Sequence, residues 1–229
     1  MIRLAALLAA GVAIAQPRPG LDEADPRRPL NPRVAPWNAI GRVETAAGGR
    51  CTGALVARDL VLTAAHCLVD PARGRLVPAG TARFVPEGAA PILAASYRIG
   101  HGFNPVREEP WRADWAFVRL VAEAPARIAP LPLLRDAPSA GQPLALAAWQ
   151  HDRPEVLSAD LTCRVRGLAT YGGQGLMLQH DCAGTFGSSG APLLARGAEG
   201  RWAILGVQAK AALGQRFGVA VPALALPMP

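Results

Sequence analysis

Cys51-Thr52-Gly53-Ala54-Leu55-Val56-Ala57-Arg58-Asp59-Leu60-Val61-Leu62-Thr63-Ala64-Ala65-His66-Cys67 is the stretch on which the fold turns. Two apolar runs, Cys51 to Val56 and Leu60 to Ala64, flank the polar turn Ala57-Arg58-Asp59. Short apolar runs on either side of a turn read as a β-hairpin. Strand pairing brings mirror positions of a hairpin together, and Cys51 and Cys67 lie symmetrically about this turn. A bridge between them closes a loop of about 15 residues, worth on the order of 3 kcal/mol in the chain-entropy description. Cys163 and Cys182 stand in the same relation to Gly172-Gly173. Four cysteines admit three pairings, of which Cys51–Cys67 and Cys163–Cys182 are expected. A zinc site is the competing use of the cysteines, but the sequence holds no CxxC pair.

Working outward, the chain has 229 residues, with 24 glycines, 22 prolines and few aromatics. That composition, with short apolar bursts, favours an all-β fold over long helices. Strands are expected at Ile40–Thr45, Cys51–Val56, Leu60–Ala64, Ala82–Val85, Ala94–Arg98 and Ala113–Leu120. A second series follows at Pro143–Ala148, Leu161–Gly167, Leu176–Asp181, Pro192–Ala195, Trp202–Gln208 and Phe217–Val221. The proline-rich stretch between the series reads as a linker over 125–143. Two six-stranded antiparallel β-barrels, over 34–124 and 144–229, with an active site in the crevice between them, account for the spacing.

Upstream, residues 1–15 read as a cleavable export signal. Arg3 supplies a positive start, Leu4 to Ile14 an apolar run, and Ala13-Ile14-Ala15 a small-residue cleavage site. The apolar run is too short for a bilayer span. Export to the periplasm or the exterior agrees with the cysteines, because disulfides persist in oxidising compartments. Residues 16–33 are rich in Pro, Arg and Asp and show no apolar periodicity, so they read as a leader or propeptide, with order beginning near Val34. The net charge of +7 is carried almost wholly by scattered arginines, which reads as a solvated basic surface and not as a nucleic-acid interface.

The chemistry gathers in three places. His66 ends an apolar run beside a cysteine able to tether it. Ser189 lies in Gly187-Ser188-Ser189-Gly190, whose glycines permit a sharp, exposed turn with the amides of Gly187 and Ser189 aimed at one point, an oxyanion hole. A serine hydroxyl needs a base, and the base needs an orienting group. Six aspartates lie between His66 and Ser189: Asp70, Asp114, Asp136, Asp152, Asp160 and Asp181. Asp114, leading into the apolar strand, is the best placed to hold the imidazole. Taken singly, each motif has an ordinary structural explanation: a satisfied core histidine, a glycine turn, a strand-start aspartate. Order separates the families that share this chemistry. Every histidine (His66, His101, His151, His180) precedes Ser189, which excludes the α/β-hydrolase arrangement.

Thr63-Ala64-Ala65-His66-Cys67, Asp114-Trp115-Ala116-Phe117-Val118 and Gly187-Ser188-Ser189-Gly190-Ala191-Pro192 together resemble the three motifs of trypsin-like (chymotrypsin-fold) serine proteases. Cys51-Thr52-Gly53 and Asp181-Cys182 are most similar to the secreted bacterial branch that includes the glutamyl endopeptidases. The resemblance implies a serine endopeptidase with His66, Asp114 and Ser189 as its triad. It also implies protein or peptide substrates, no cofactor or metal, no nucleic acid or membrane partner after signal removal, and a monomer. A protease homologue that binds peptides or anionic surfaces without cleaving, and an esterase using the same triad, are the alternatives. By the family's pattern the specificity pocket has Ala183 at its base and Gln208, Ala209 and Lys210 on its wall. With no carboxylate at Ala183, a preference for Arg or Lys is not expected. Gln208 stands where glutamate-preferring relatives carry histidine, and Lys210 is a cation positioned to favour an acidic group. Ser188 replaces the aspartate that usually precedes the nucleophile. Removal of the leader at Arg33-Val34 is expected.

Overall fold

The computed structural model describes residues 18–229, so the signal segment of residues 1–15 lies outside the described residues. The chain enters through a two-residue strand β1 (Arg28–Pro29) and then lays down β2 (Ile40–Thr45), β3 (Arg50–Ala57) and β4 (Leu60–Thr63). A small hairpin of β5 (Val69–Asp70) and β6 (Arg75–Leu76) precedes β7 (Ala82–Val85), β8 (Ile92–Ile99) and β9 (Ala116–Leu120). Six of these close into a barrel in the order β2-β3-β4-β9-β8-β7, sealed where β7 pairs back on β2. Alternation explains the closure. Val43, Leu55, Val61, Phe84 and Val118 turn inward and are buried, while Arg83 and Arg119 face out.

The second half comprises β10 (Ala145–Trp149), β11 (Leu157–Asp160), β12 (Val165–Tyr171), β13 (Gly175–His180), β14 (Pro192–Arg196), β15 (Trp202–Ala211) and β16 (Gly218–Pro222). Its sheet has eight strands, ordered β1-β11-β10-β14-β15-β16-β13-β12. Backbone bonds from Val165 to Gln142 (2.9 Å) and from Leu144 to Cys163 (2.8 Å) join its last strand to the segment leading into β10, so this sheet also curls onto itself. The linker packs against both halves: the Leu131 amide donates to Leu55 and that of Leu134 to Ile204.

Three expectations are corrected. The second barrel is not built from six strands of its own; β11, missed in the sequence, is one of seven, and β1 joins it by pairing Arg28 with Ala159. The strand expected at Leu161–Gly167 starts four residues later, because Thr162 and Cys163 form the turn held by the Asp160 carboxylate. Order does not wait for Val34. Leu21 is buried, and the fully enclosed Arg27 guanidinium bonds Asp25, Asp152 and Gln150. Apolar periodicity is silent about a segment held by a buried charge network. Both cysteine bridges form as expected, Cys51–Cys67 and Cys163–Cys182; the second lies in register with its hairpin, while Cys67 reaches Cys51 from the 3-10 turn that follows β4.

Candidate active site

β4 stops at Thr63, and His66 sits in a 3-10 turn, Ala65–Leu68, directly after it. Asp114 caps another short 3-10 turn, Trp111–Ala113, just before β9. Because β4 and β9 are neighbours, with Thr63 opposite Ala116, these two turns meet at one end of the first barrel. One oxygen of Asp114 accepts from the His66 backbone amide (2.9 Å), and the other lies 2.7 Å from Nδ1 of the ring. Asp114 is completely enclosed, whereas the His66 side chain keeps about an eighth of its surface open. The double contact fixes the ring in position and assigns the Nδ1 proton to the carboxylate side, leaving Nε2 as the exposed acceptor.

The serine turn belongs to the second barrel, between Cys182 and β14. Gly187 and Gly190 take φ values of +90° and +75°, which an L side chain rarely adopts. The space around them is also full. A Cβ on Gly187 would lie 2.5 Å from the Trp149 carbonyl, and one on Gly190 would lie 2.1 Å from the Thr63 hydroxyl. Thr52 stitches this turn to the first barrel: its amide donates to Ser189 (3.0 Å) and its hydroxyl to Gly187 (2.9 Å), while that hydroxyl accepts from the Trp149 amide (3.0 Å). Among the described residues neither the Gly187 nor the Ser189 amide donates a hydrogen bond. The role of Thr52 escaped the sequence, where it stands in a quoted motif with nothing to mark a contact 135 positions away.

His66 and Ser189 line one cavity of about 360 Å³ together with Pro19, Thr185, Gln208, Lys210 and others. No hydrogen bond joins His66 to Ser189 among the described residues; what they share is the cavity wall. Gln208 and Ala209 line it, but Ala183 does not: it is fully buried, and its amide donates to Asp160 (2.9 Å). Lys210 does line the cavity, yet it is ion-paired with Glu108 from the first half and offers no spare charge for an acid. Behind Gln208 sits His180, completely buried. Burial pushes its imidazole down to about 4, a shift that the hydrogen bond to Gln208 and the charges of Asp181 and Asp160 only partly offset. Its Nδ1 accepts from the Cys182 amide, so Nε2 carries the proton and donates to Gln208 Oε1 (2.6 Å). The amide of Gln208 is thereby turned with its nitrogen toward Lys210 O (3.0 Å). Cys51, His66 and Cys67 crowd together, but both sulfurs are consumed in the disulfide, which removes the thiolates a metal would need.

Two packed β-barrels with an imidazole–carboxylate pair on one and a serine turn on the other define the chymotrypsin-like class. Residues 51–206 match the family model of the trypsin-like peptidase domain, and the chain belongs to that family. Among solved structures it is similar to a Glu endopeptidase in complex with MPD (TM-score 0.72, 19% identity, covering 88% of this chain and 93% of that one). It is also similar to human heparin binding protein (TM-score 0.63, 20% identity, covering 86% of this chain and 91% of the other). A search of curated protein sequences gives no significant match.

Proposed function

We propose that the chain is an exported serine endopeptidase whose triad is Ser189, His66 and Asp114. The observation that carries this is the doubly bonded, fully buried Asp114 holding His66 on the wall of the cavity that Ser189 also lines. Ser189 Oγ attacks the peptide carbonyl carbon while His66 Nε2 takes its proton. The oxyanion forms against the unoccupied amides of Gly187 and Ser189. Collapse of the tetrahedral species expels the amine, which receives the proton from His66, and water hydrolyses the acyl-enzyme by the same steps. Among the described residues the acidic and basic side chains on the cavity wall are Glu108 and Lys210, which cancel, so an uncharged residue before the scissile bond is favoured over an acidic or basic one. The two disulfides, and the lack among the described residues of a helix long and apolar enough to cross a membrane, agree with an extracellular or periplasmic site. Residues 1–15 are the proposed signal.

Purified protein incubated with a fluorophosphonate probe and a peptide library tests the reading. Labelling and cleavage are expected in the parent and neither in Ser189→Ala. A parent that takes no label favours the second reading, a non-catalytic homologue that binds anionic surfaces. That reading draws on the net charge of +7 and on the similarity to a heparin binding protein.

A further inference from the structure

The segment expected to be discarded is built into the wall of the cavity. Pro19 lines it beside His66, Ser189 and Ala211. The next residue, Gly20, joins two stretches of chain that are also tied further on, where Gly190 donates to Gln208 and Gln208 to Ala191. The Gly20 amide donates to Ala212 (2.7 Å), and its carbonyl accepts from Gly184 (3.1 Å). Gly184 directly precedes Thr185 and Ala212 directly follows Ala211, both of which line the cavity, so Gly20 ties together the two stretches that carry those lining residues. Pro19 adds an antiparallel bridge to Leu213, and Gly214 donates to Arg18 (3.1 Å).

The fit at Gly20 is specific to glycine. Its φ is +70°, and a Cβ would lie 1.9 Å from the Gly184 carbonyl oxygen. Downstream anchoring is strong. Arg27 bonds Gln150 Oε1 (2.7 Å), and that same oxygen accepts from the Thr185 amide (2.7 Å), so the buried guanidinium reaches the serine turn through one side chain. Arg18 pairs with Asp152, Arg216 with Asp22 and Arg153 with Asp25. Cutting at Arg33-Val34 and losing the segment would remove β1, strand all these partners, and leave Gly184 and Ala212 without their link.

We propose that residues 18–30 remain in the active enzyme and that Pro19-Gly20 is a positioning element, a backbone clasp that sets the spacing of the two pocket walls and hence how peptide substrates are held. The inference rests on the serine-protease reading above. A small fluorophosphonate needs the nucleophile, base and oxyanion site but not the pocket walls, whereas a peptide needs both. In Gly20→Ala, kcat/KM for a cleaved peptide is therefore expected to fall by about 10²-fold, largely through KM, while the labelling rate stays within about threefold of the parent. Gly48→Ala is the control: Gly48 also has a left-handed φ (+87°) but nothing near its would-be Cβ, and peptide cleavage is expected to be unchanged. Amino-terminal sequencing of the labelled, secreted parent gives an independent measurement that needs no variant to fold, with a start upstream of Pro19 expected. Labelled, fully active protein beginning at Val34, or a Gly20→Ala enzyme with parental kcat/KM, overturns the clasp while leaving the catalytic reading intact. A parent that takes no label sinks the catalytic reading instead.

Discussion

Asp114→Asn is expected to lower kcat by about 10⁴-fold with the fold intact, the size of loss seen when the orienting carboxylate of such a triad becomes an amide. The two oxygens of Asp114 have separate tasks, one accepting from the His66 backbone amide and one facing Nδ1. Asparagine supplies only one acceptor. The backbone N–H claims it, so the amide nitrogen faces Nδ1 and donates to it. The ring proton then moves to Nε2, and the imidazole has no lone pair left to receive the serine proton. Steady-state cleavage of a peptide identified in the library screen measures the effect, beside thermal unfolding to show that the variant is folded. A kcat within tenfold of the parent removes Asp114 from the mechanism.

The second large effect concerns acid. His180 is held neutral by burial, with its folded-state value about 4 against an ordinary 6.5. The unfolded chain therefore binds a proton that the folded protein refuses throughout that interval. Stability is at full strength above about pH 6.5 and falls as the pH drops toward 4, by on the order of 3 kcal/mol. Asp25 and Asp152 are held below the usual carboxylate range, chiefly by hydrogen bonds from Arg27. Their contribution is present above their unfolded value and is lost only as the pH falls through their depressed folded values, so it belongs to a lower window. Urea unfolding from pH 7 to 4.5 reads the two apart. His180→Asn keeps an acceptor for the Cys182 amide but cannot titrate. It should be less stable at pH 7, because Gln208 loses its donor, and its stability should change little with pH down to about 4.5. A variant whose pH slope matches the parent's would show that another group is responsible.

The all-β fold was legible because turns and apolar runs alternate at short intervals and because each cysteine pair mirrors a turn. β1 and β11 were not. Arg28–Pro29 carries a charge and a proline, and Leu157–Asp160 has two polar positions in four, so each looks like loop until its neighbour is known. The site divided in the same way. Asp114 was singled out by elimination along the chain, from its place at the head of an apolar strand, and the structure sets its carboxylate against His66. Lys210 was misread as a free cation because its partner, Glu108, is 102 positions away. The contribution of residues 18–33 was hidden for a related reason. Its anchor is a guanidinium that looks solvated in sequence and is buried only because Asp25, Asp152 and Gln150 converge on it.

The placement of the groups has a wider consequence. His66 and Asp114 stand on one barrel and most of the other cavity-lining residues on the second, with Thr52 tying the two at the serine turn and Trp111 and Arg112 tying them at Gln174 and Gly173. On the proposed reading, the base and its orienting carboxylate stand apart from the residues that would select the substrate, while the nucleophile turn shares the second barrel with them. Exchanging residues around Gln208 and Thr185 should redirect which peptides are cut without retuning the imidazole, which makes the second barrel the half to diversify when new substrate preferences are sought.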